Sequence, residues 1–252
     1  MAKTSHTHAV LMLGTVMCTA LLLSPPVLFA QDEKPGITFS TLSAGASLPT
    51  GWKNLPVVHG TPMTQYTLVR DGQTTVQQAD ADHSASALMH EGNIDLARTP
   101  IVTWRWNAEN PIEGADNRVG SKEDAPARLV FAFDGDRSKL SFFDRASMQV
   151  AKRLGGQDIP YATLMYIWSN TAAPGSIIAN PHTGRVQMIV VSGRPGDAGQ
   201  WLTLRRNIAQ DYEKVFHEPP GPITGYGLLT DTDNTGTVTR AWYGDIQFLP
   251  GP

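Results

Sequence analysis

Apolar and polar residues alternate in short runs along most of the chain after residue 60, which is typical of β-strands with one buried face. Asp71-Gly72, a strong hairpin signal, joins two such runs. Another run ends in Trp104-Arg105-Trp106, where the two tryptophans share one strand face and Arg105 points to the other. The strands predicted in this way are Thr64–Val69, Thr74–Gln78, Ser84–Met89, Ile101–Trp106, Arg128–Phe133, Tyr161–Trp168, and Ser176–Ala179 paired with Val186–Val191.

Two segments carry apolar residues at helical spacing instead. In the first, Ser141 and Asp144 resemble a capping box, and Gly155-Gly156 marks the end of the helix. The second, Leu204–His217, ends before Pro219-Pro220. Short strands, turns rich in glycine and proline, and two interposed helices predict a mainly β fold. The expected architecture is a jelly-roll-like β-sandwich with about two helices packed at its edges.

The chain is expected to begin with a secretory signal peptide. Residues 1–30 have a basic start and an apolar stretch, Ala9–Leu23. An uncleaved membrane anchor is the alternative, because Leu28 is large for the third position before a cleavage site. The predicted domains are the signal peptide, an N-terminal arm at 31–62 with a candidate edge strand near Ile37–Phe39, and a single β-sandwich domain at 63–252.

Composition and charge exclude several classes of protein. The one cysteine, Cys18, lies in the predicted leader, so the mature chain would form no disulfide. The formal net charge is −3 and no run of basic residues occurs, which argues against nucleic acid as a partner. No segment after the leader is long and apolar enough to span a membrane. The Gly-x-Ser-x-Gly signature of a nucleophilic serine is absent as well.

The densest chemistry lies in Gly225–Phe248, which is expected to be a hairpin that ends the fold. Its turn, DTDNTG, starts at Asp231. In one interpretation, the oxygens of Asp231, Asp233 and Thr235 bind a hard cation such as calcium. A standard helix-flanked calcium loop is excluded, because its twelfth position would be Trp242 rather than Glu. In the other interpretation, Asp and Asn side chains bond to their own backbone to build the turn, without a metal.

Tryptophans and carboxylates supply the candidate site residues. Exposed tryptophans stack on sugar rings through their apolar faces. Carboxylates accept hydrogen bonds from hydroxyl groups, and two of them about 5–10 Å apart cleave glycosidic bonds. The candidate ligand-binding residues are Trp104, Trp106, Arg128, Asp134, Asp136, Trp242 and Asp245, and the candidate catalytic residues of an enzyme are Asp134, Asp136 and Asp233.

Five sequence blocks make the chain resemble a known family. These blocks are Trp104–Trp106, Ala127–Asp136, Pro160–Tyr166, Asp231–Gly236 and Tyr243–Ile246. With them, the chain resembles an exported bacterial family, domain of unknown function 3047, over residues 64–248. The resemblance implies an envelope location and a β-sandwich of the kind seen in carbohydrate-binding modules, and it names no catalytic residue.

The sequence therefore predicts a periplasmic or secreted β-sandwich that binds a glycan or another envelope component without catalysis. Calcium is a candidate cofactor at the acidic turn. Two alternatives remain open: an envelope hydrolase or lyase that uses the paired aspartates, and a structural subunit of an envelope complex. The oligomeric state is left open.

Overall fold

The computed structural model describes residues 35–155, 159–180 and 183–251; the predicted signal peptide lies outside them. These residues form fourteen strands and two α-helices. The strands are β1 Gly36–Ile37, β2 Trp52–Pro56, β3 Gln65–Asp71, β4 Thr74–Asp82, β5 Ala85–Ile94, β6 Ile101–Ala108, β7 Arg128–Phe133, β8 Ala162–Trp168, β9 Ile177–Asn180, β10 Thr183–Ser192, β11 Leu202–Asn207, β12 Ile223–Asp231, β13 Val238–Tyr243 and β14 Ile246–Leu249. The helices are α1 Phe142–Gly155 and α2 Ile208–Phe216.

The strands form two seven-stranded sheets. Sheet 1 has the order β1-β14-β6-β13-β4-β3, and β11 pairs with the other edge of β6. Sheet 2 has the order β2-β5-β12-β7-β8-β10-β9. All pairs are antiparallel except β8 with β10. The predicted β-sandwich with two helices is confirmed.

Aromatic side chains join the two sheets in the core. Trp104 on β6 stacks on Tyr166 on β8, with ring centroids 5.2 Å apart and an interplanar angle of 14°. Trp106 packs edge-on against both Trp104 and Tyr243. Rings of this size bury a large apolar area and favour such offset or edge-on geometries. The inner face of β6 is therefore a central part of the core.

The first helix begins as its sequence predicts. Ser141 Oγ accepts a hydrogen bond from Asp144 N at 3.0 Å and donates one to Asp144 Oδ2 at 2.7 Å. This arrangement satisfies a backbone N–H that has no partner within the helix. Neither helix in the described part of the chain has the length and apolar character needed to cross a membrane.

The predicted second helix, Leu204–His217, starts too early. Residues 202–207 form strand β11, which pairs antiparallel with β6, and the helix covers only Ile208–Phe216. Asn207 caps the helix, because its side chain accepts a hydrogen bond from Gln210 N at 3.1 Å. The spacing of Leu204 and Ile208 fits a helix, but sheet pairing with β6 overrides it.

The predicted terminal hairpin over Gly225–Phe248 is also wrong. Strand β12 lies in sheet 2 between β5 and β7, whereas β13 lies in sheet 1 between β4 and β6. The acidic turn that begins at Asp231 therefore crosses from one sheet to the other. Strand β12 is buried on both faces over most of its length, as a central strand requires, and β13 alternates between buried and more exposed residues.

Two strands lie within residues 31–62, the predicted N-terminal arm. Strand β1 pairs with β14, and β2 pairs with β5. Through β2, the ring of Trp52 reaches His90 and Tyr226, at centroid distances of 5.3 and 5.6 Å. His90 Nδ1 is buried there without a hydrogen-bond partner. Burial lowers the pKa of His90, although the nearby charge of Glu91 opposes that shift.

His90 should make the fold less stable in acid. Burial disfavours the protonated form of His90 in the folded protein, while the unfolded chain takes up a proton below the ordinary pKa of 6.5, so stability is lost as the pH falls below that value. We expect the free energy of unfolding, measured by urea titration at a series of pH values, to fall less steeply with decreasing pH in His90→Phe than in the wild type. The exposed His59 provides the control, and an identical slope in His90→Phe and His59→Gln would contradict this expectation.

Candidate functional site

Sheet 1 presents a face of polar and aromatic side chains that points away from the core. On β6, Trp104 and Trp106 point inward, so Arg105 and Asn107 point outward. Trp242 on β13 lies opposite both Asn107 and Gln78 on β4. We call this surface the outer face of sheet 1. It includes Asp71, Gln78, Asp80, Arg105, Asn107, Trp201, Thr203, Arg205, Arg240 and Trp242.

Trp242, one of the predicted ligand-binding residues, is partly exposed on this face. Its indole Nε1 donates a hydrogen bond to Gln78 Oε1 at 2.9 Å, and Gln78 Nε2 donates to Asp80 Oδ2 at 2.7 Å. Arg240 Nε completes the group by donating to Asp80 Oδ1 at 2.5 Å, and its guanidinium lies 6.0 Å from the Trp242 ring centroid. These contacts fix the orientation of the indole ring.

A second tryptophan, Trp201, lies just before β11 and is also partly exposed. The Arg105 guanidinium lies over its ring, 4.5 Å from the centroid, a cation–π arrangement. The side chain of Arg105 runs across Gly244, where any Cβ atom would overlap its Cγ and Nε. Glycine at 244 is therefore a condition for this position of Arg105.

The outer face is curved. Trp201 Nε1 donates a hydrogen bond to Asp71 Oδ2 at 2.8 Å, although Asp71 lies at the end of β3 and Trp201 adjoins β11. Three strands separate β11 from β3, so a flat sheet would place them about 19 Å apart. The hydrogen bond therefore requires the sheet to curl toward its outer face.

Three predicted ligand-binding residues lie inside the protein. Trp104, Trp106 and Arg128 are 2%, 0% and 1% exposed. Their prediction as surface contacts is wrong, because the strand face shared by the two tryptophans packs against sheet 2. Sequence reasoning missed Trp201, since the helix predicted from Leu204 left no strand beside it. Recognition of Leu202, Leu204 and Arg206 as an alternating run would have placed Trp201 on the same face as Arg105.

The exposed aspartates at 134 and 136 support local turns. Asp134 Oδ1 accepts from Gly135 N at 2.8 Å, and Asp136 Oδ1 accepts from Ser138 N at 3.0 Å. Bonding to Ser138 lowers the pKa of Asp136. Asp245 is likewise engaged, because its two carboxylate oxygens accept from the backbone N and the hydroxyl of Ser40 at 2.9 and 2.7 Å.

The candidate catalytic aspartates lie toward opposite ends of strand β7, with Asp134 and Asp136 after its last residue and Asp233 near its first. Asp134 directly follows β7, while Asp231, two residues from Asp233, bonds to Arg128 at the opposite end of that strand. Six residues of extended chain span about 20 Å. Asp233 is therefore too far from Asp134 for the two carboxylates to act on one glycosidic bond.

A cluster of acidic side chains surrounds Arg128. Carboxylate oxygens of Asp124, Asp231 and Asp233 all lie within 4.8 Å of one another. Arg128 donates from Nε and Nη2 to the two oxygens of Asp231, at 3.1 and 2.9 Å, and from Nη1 to Glu123 at 2.8 Å. Burial lowers the pKa of Arg128, but the charges of Asp231 and Glu123 outweigh that effect and the net shift is upward. The guanidinium therefore stays charged.

Hydrogen-bond donors of the protein already occupy most oxygens of this cluster. Asp124 accepts from the backbone N–H groups of Asn234 and Thr235 at 3.2 and 2.7 Å, and from the Thr235 hydroxyl at 2.6 Å. Asp231 also accepts from Ala125 N at 3.0 Å. Asp233 differs: burial and the charge of Asp124 raise its pKa. Sequence reasoning named Asp231, Asp233 and Thr235 here, and the structure adds Asp124, Glu123 and Arg128.

Removal of the buried cation should destabilise the fold. We expect Arg128→Met to lower the free energy of unfolding by about 3–5 kcal/mol, because the variant leaves Asp231 and Glu123 buried without their cation. Urea titration measures the difference. Arg118→Met is the matched control: Arg118 is exposed, 3.8 Å from Asp116, and its loss should cost less than about 1 kcal/mol. Equal effects of the two substitutions would contradict this role of Arg128.

The same cluster provides a test for calcium. Burial and the charge of Asp124 disfavour the ionised form of Asp233, so we expect Asp233→Asn to raise Tm at neutral pH in EDTA. Because Arg128 already supplies a cation to the cluster, we expect a calcium series to leave the wild-type Tm unchanged. A ligand that binds only the native state would raise Tm in a saturable way. Such a rise in the wild type, lost in Asp233→Asn, would instead establish the predicted calcium site.

Among curated proteins, none matches this sequence. Endoglucanase 3 of Trichoderma harzianum, from family GH12, aligns with 10% identity and a TM-score of 0.41, over 88% of this chain and 100% of its own. The xyloglucanase domain of NopAA, a type three effector from Sinorhizobium fredii, aligns with 10% identity and a TM-score of 0.40, over 83% of this chain and 100% of its own. A family 29 carbohydrate binding module aligns with 9% identity and a TM-score of 0.33, over 84% of this chain and 89% of its own.

One family model matches most of the chain. It is described as Protein of unknown function (DUF3047), and it covers residues 50–247. That range contains Arg105, Trp201, Trp242 and Gly244 of the outer face, and the whole acidic cluster around Arg128. The resemblance drawn from the sequence blocks is confirmed, and the chain belongs to the DUF3047 family.

Proposed function

We propose that this protein is a non-catalytic glycan-binding module of the cell envelope or the extracellular space, and that the outer face of sheet 1 is its binding surface. The observation that carries the proposal is the pair of partly exposed tryptophans, Trp201 and Trp242, set among polar side chains on one curved face. The predicted signal peptide supports the location.

The chemistry of this face suits a sugar chain. Indole rings offer apolar area to the C–H faces of sugar rings, and the amide and charged groups around them bond to hydroxyls. Trp242 lies on β13 and Trp201 beside β11, with β6 between them. The two indoles thus offer two apolar contacts to one sugar chain on the same face.

The carboxylates of this face support binding rather than cleavage. Asp80 accepts hydrogen bonds from Gln78 and Arg240, and Asp71 accepts one from Trp201. General acid–base catalysis needs carboxyl groups placed to exchange protons with the substrate. Asp71 instead positions Trp201, and Asp80 positions Arg240 directly and Trp242 through Gln78.

Removal of either indole should weaken glycan binding. We expect Trp242→Ala or Trp201→Ala to cost about 2 kcal/mol, about 30-fold in Kd, for a saccharide that the wild type binds. A glycan array selects the saccharide, and calorimetry measures Kd. Trp52→Phe, in the aromatic cluster around His90, is the control and should bind like the wild type.

Two results would overturn the proposal. One is a wild-type protein that shows no saturable response to any saccharide of the array. The other is full binding by the folded Trp201→Ala and Trp242→Ala variants, which would move the site away from the outer face of sheet 1.

A further inference from the structure

Arg105 has an unusual environment for a cation. Its guanidinium lies over the Trp201 ring, 4.5 Å from the centroid, and its aliphatic stem lies along Gly244. Stacking uses the faces of the planar group and leaves its N–H bonds free in the plane. No carboxylate of the described residues lies within 4.0 Å of it, and Asp71, which bonds to the Trp201 indole, forms no ion pair with it.

The neighbouring arginines of sheet 1 divide into two kinds. Arg240 pairs with Asp80 and Arg206 with Asp211, each at 2.5 Å. Arg205, like Arg105, makes no ion pair with any described residue. It is exposed on β11 and points to the outer face, since Leu204 and Arg206 on either side of it point inward. Two unpaired guanidinium groups therefore share a face with two tryptophans.

The two unpaired arginines lie on neighbouring strands. Arg105 lies directly opposite Thr203, so Arg205 is its diagonal neighbour on the next strand. Diagonal positions of this kind are about 7–8 Å apart and within reach of long side chains. Trp201, which precedes β11, and Arg205 therefore flank Thr203 as the two diagonal neighbours of Arg105, and the Trp201 ring lies under the Arg105 guanidinium.

We propose that the ligand of the outer face is an acidic glycan, a polysaccharide whose sugars carry carboxylates, and that Arg105 and Arg205 bind those carboxylates. This inference rests on the proposed function. A guanidinium donates two parallel hydrogen bonds to a planar carboxylate, and such charge-assisted bonds are stronger than neutral ones. Stacking on Trp201 holds the Arg105 fork in place before the ligand arrives, which reduces the entropy lost on binding.

The experiment compares one polymer in two chemical forms. Kd is measured by calorimetry, in EDTA, for polygalacturonate and alginate and for the same polymers after reduction of their carboxyl groups to alcohols. We expect at least one polyuronate to bind about tenfold or more tightly than its reduced form. Arg105→Gln and Arg205→Gln should each shrink that ratio, whereas Trp242→Ala should weaken both forms of the polymer.

Arg145→Gln is the matched control, because Arg145 is an exposed arginine on helix α1. It should bind both forms like the wild type. Because Arg205 is exposed, its substitution should leave the fold intact. Arg205→Gln therefore tests carboxylate binding even if Arg105→Gln does not fold. Dextran sulfate tests charge alone: binding as tight as to the polyuronates, and unaffected by Trp242→Ala, would overturn the inference.

The remaining outcomes separate the two proposals. Equal affinity for the acidic and reduced polymers, with binding lost in Trp242→Ala, would overturn the inference and leave glycan binding intact. Unchanged preference for polyuronates in both arginine variants would overturn it as well. Absence of saturable binding to every saccharide, neutral or acidic, would overturn both.

Discussion

Strand β6 constrains the rest of this structure through the two-residue period of a β-strand. It pairs with β11 on one edge and with β13 and β14 on the other, so its register is set from both sides. Trp104 and Trp106 fill the core, and the residues between and beyond them, Arg105 and Asn107, must then face outward. A slip of one residue would exchange the two sets. The aromatic core and the polar outer face are thus two sides of one strand, and neither can change independently of the other.

The sequence predicts the architecture well because its signals are local. Alternation along the strands, the Ser141 and Asp144 capping box, and the pairing of β9 with β10 each depend on a few neighbouring residues, and the structure contains all of them. Exposure is a different matter. The pattern Trp-Arg-Trp shows that two tryptophans share a face, but only the position of sheet 2 decides that this face is buried. Stacking of Trp104 on Tyr166, 62 positions away in the sequence, supplies that information.

Long-range partners also explain the errors around the acidic turn and the second helix. Residues before and after the turn look like the arms of a hairpin, yet β12 joins β5 and β7 while β13 joins β4 and β6. Asp124 binds the backbone of the turn, and Arg128 bonds to Asp231 from 103 positions away. An acidic turn that bridges two sheets and an acidic turn that binds calcium contain the same residue types. Only the partners, Arg128 and the backbone N–H groups, distinguish them.

The hydrogen bonds of the two indoles on the outer face have a consequence for how a ligand would meet it. Trp201 donates to Asp71 and Trp242 donates to Gln78, so both indoles are held by groups of the protein itself. A ring whose N–H is bonded and whose face lies beside an arginine has few rotamers left to lose. Association with this surface would therefore resemble contact with a rigid template, in which the rate depends on the conformation of the incoming chain and hardly on rearrangement of the protein.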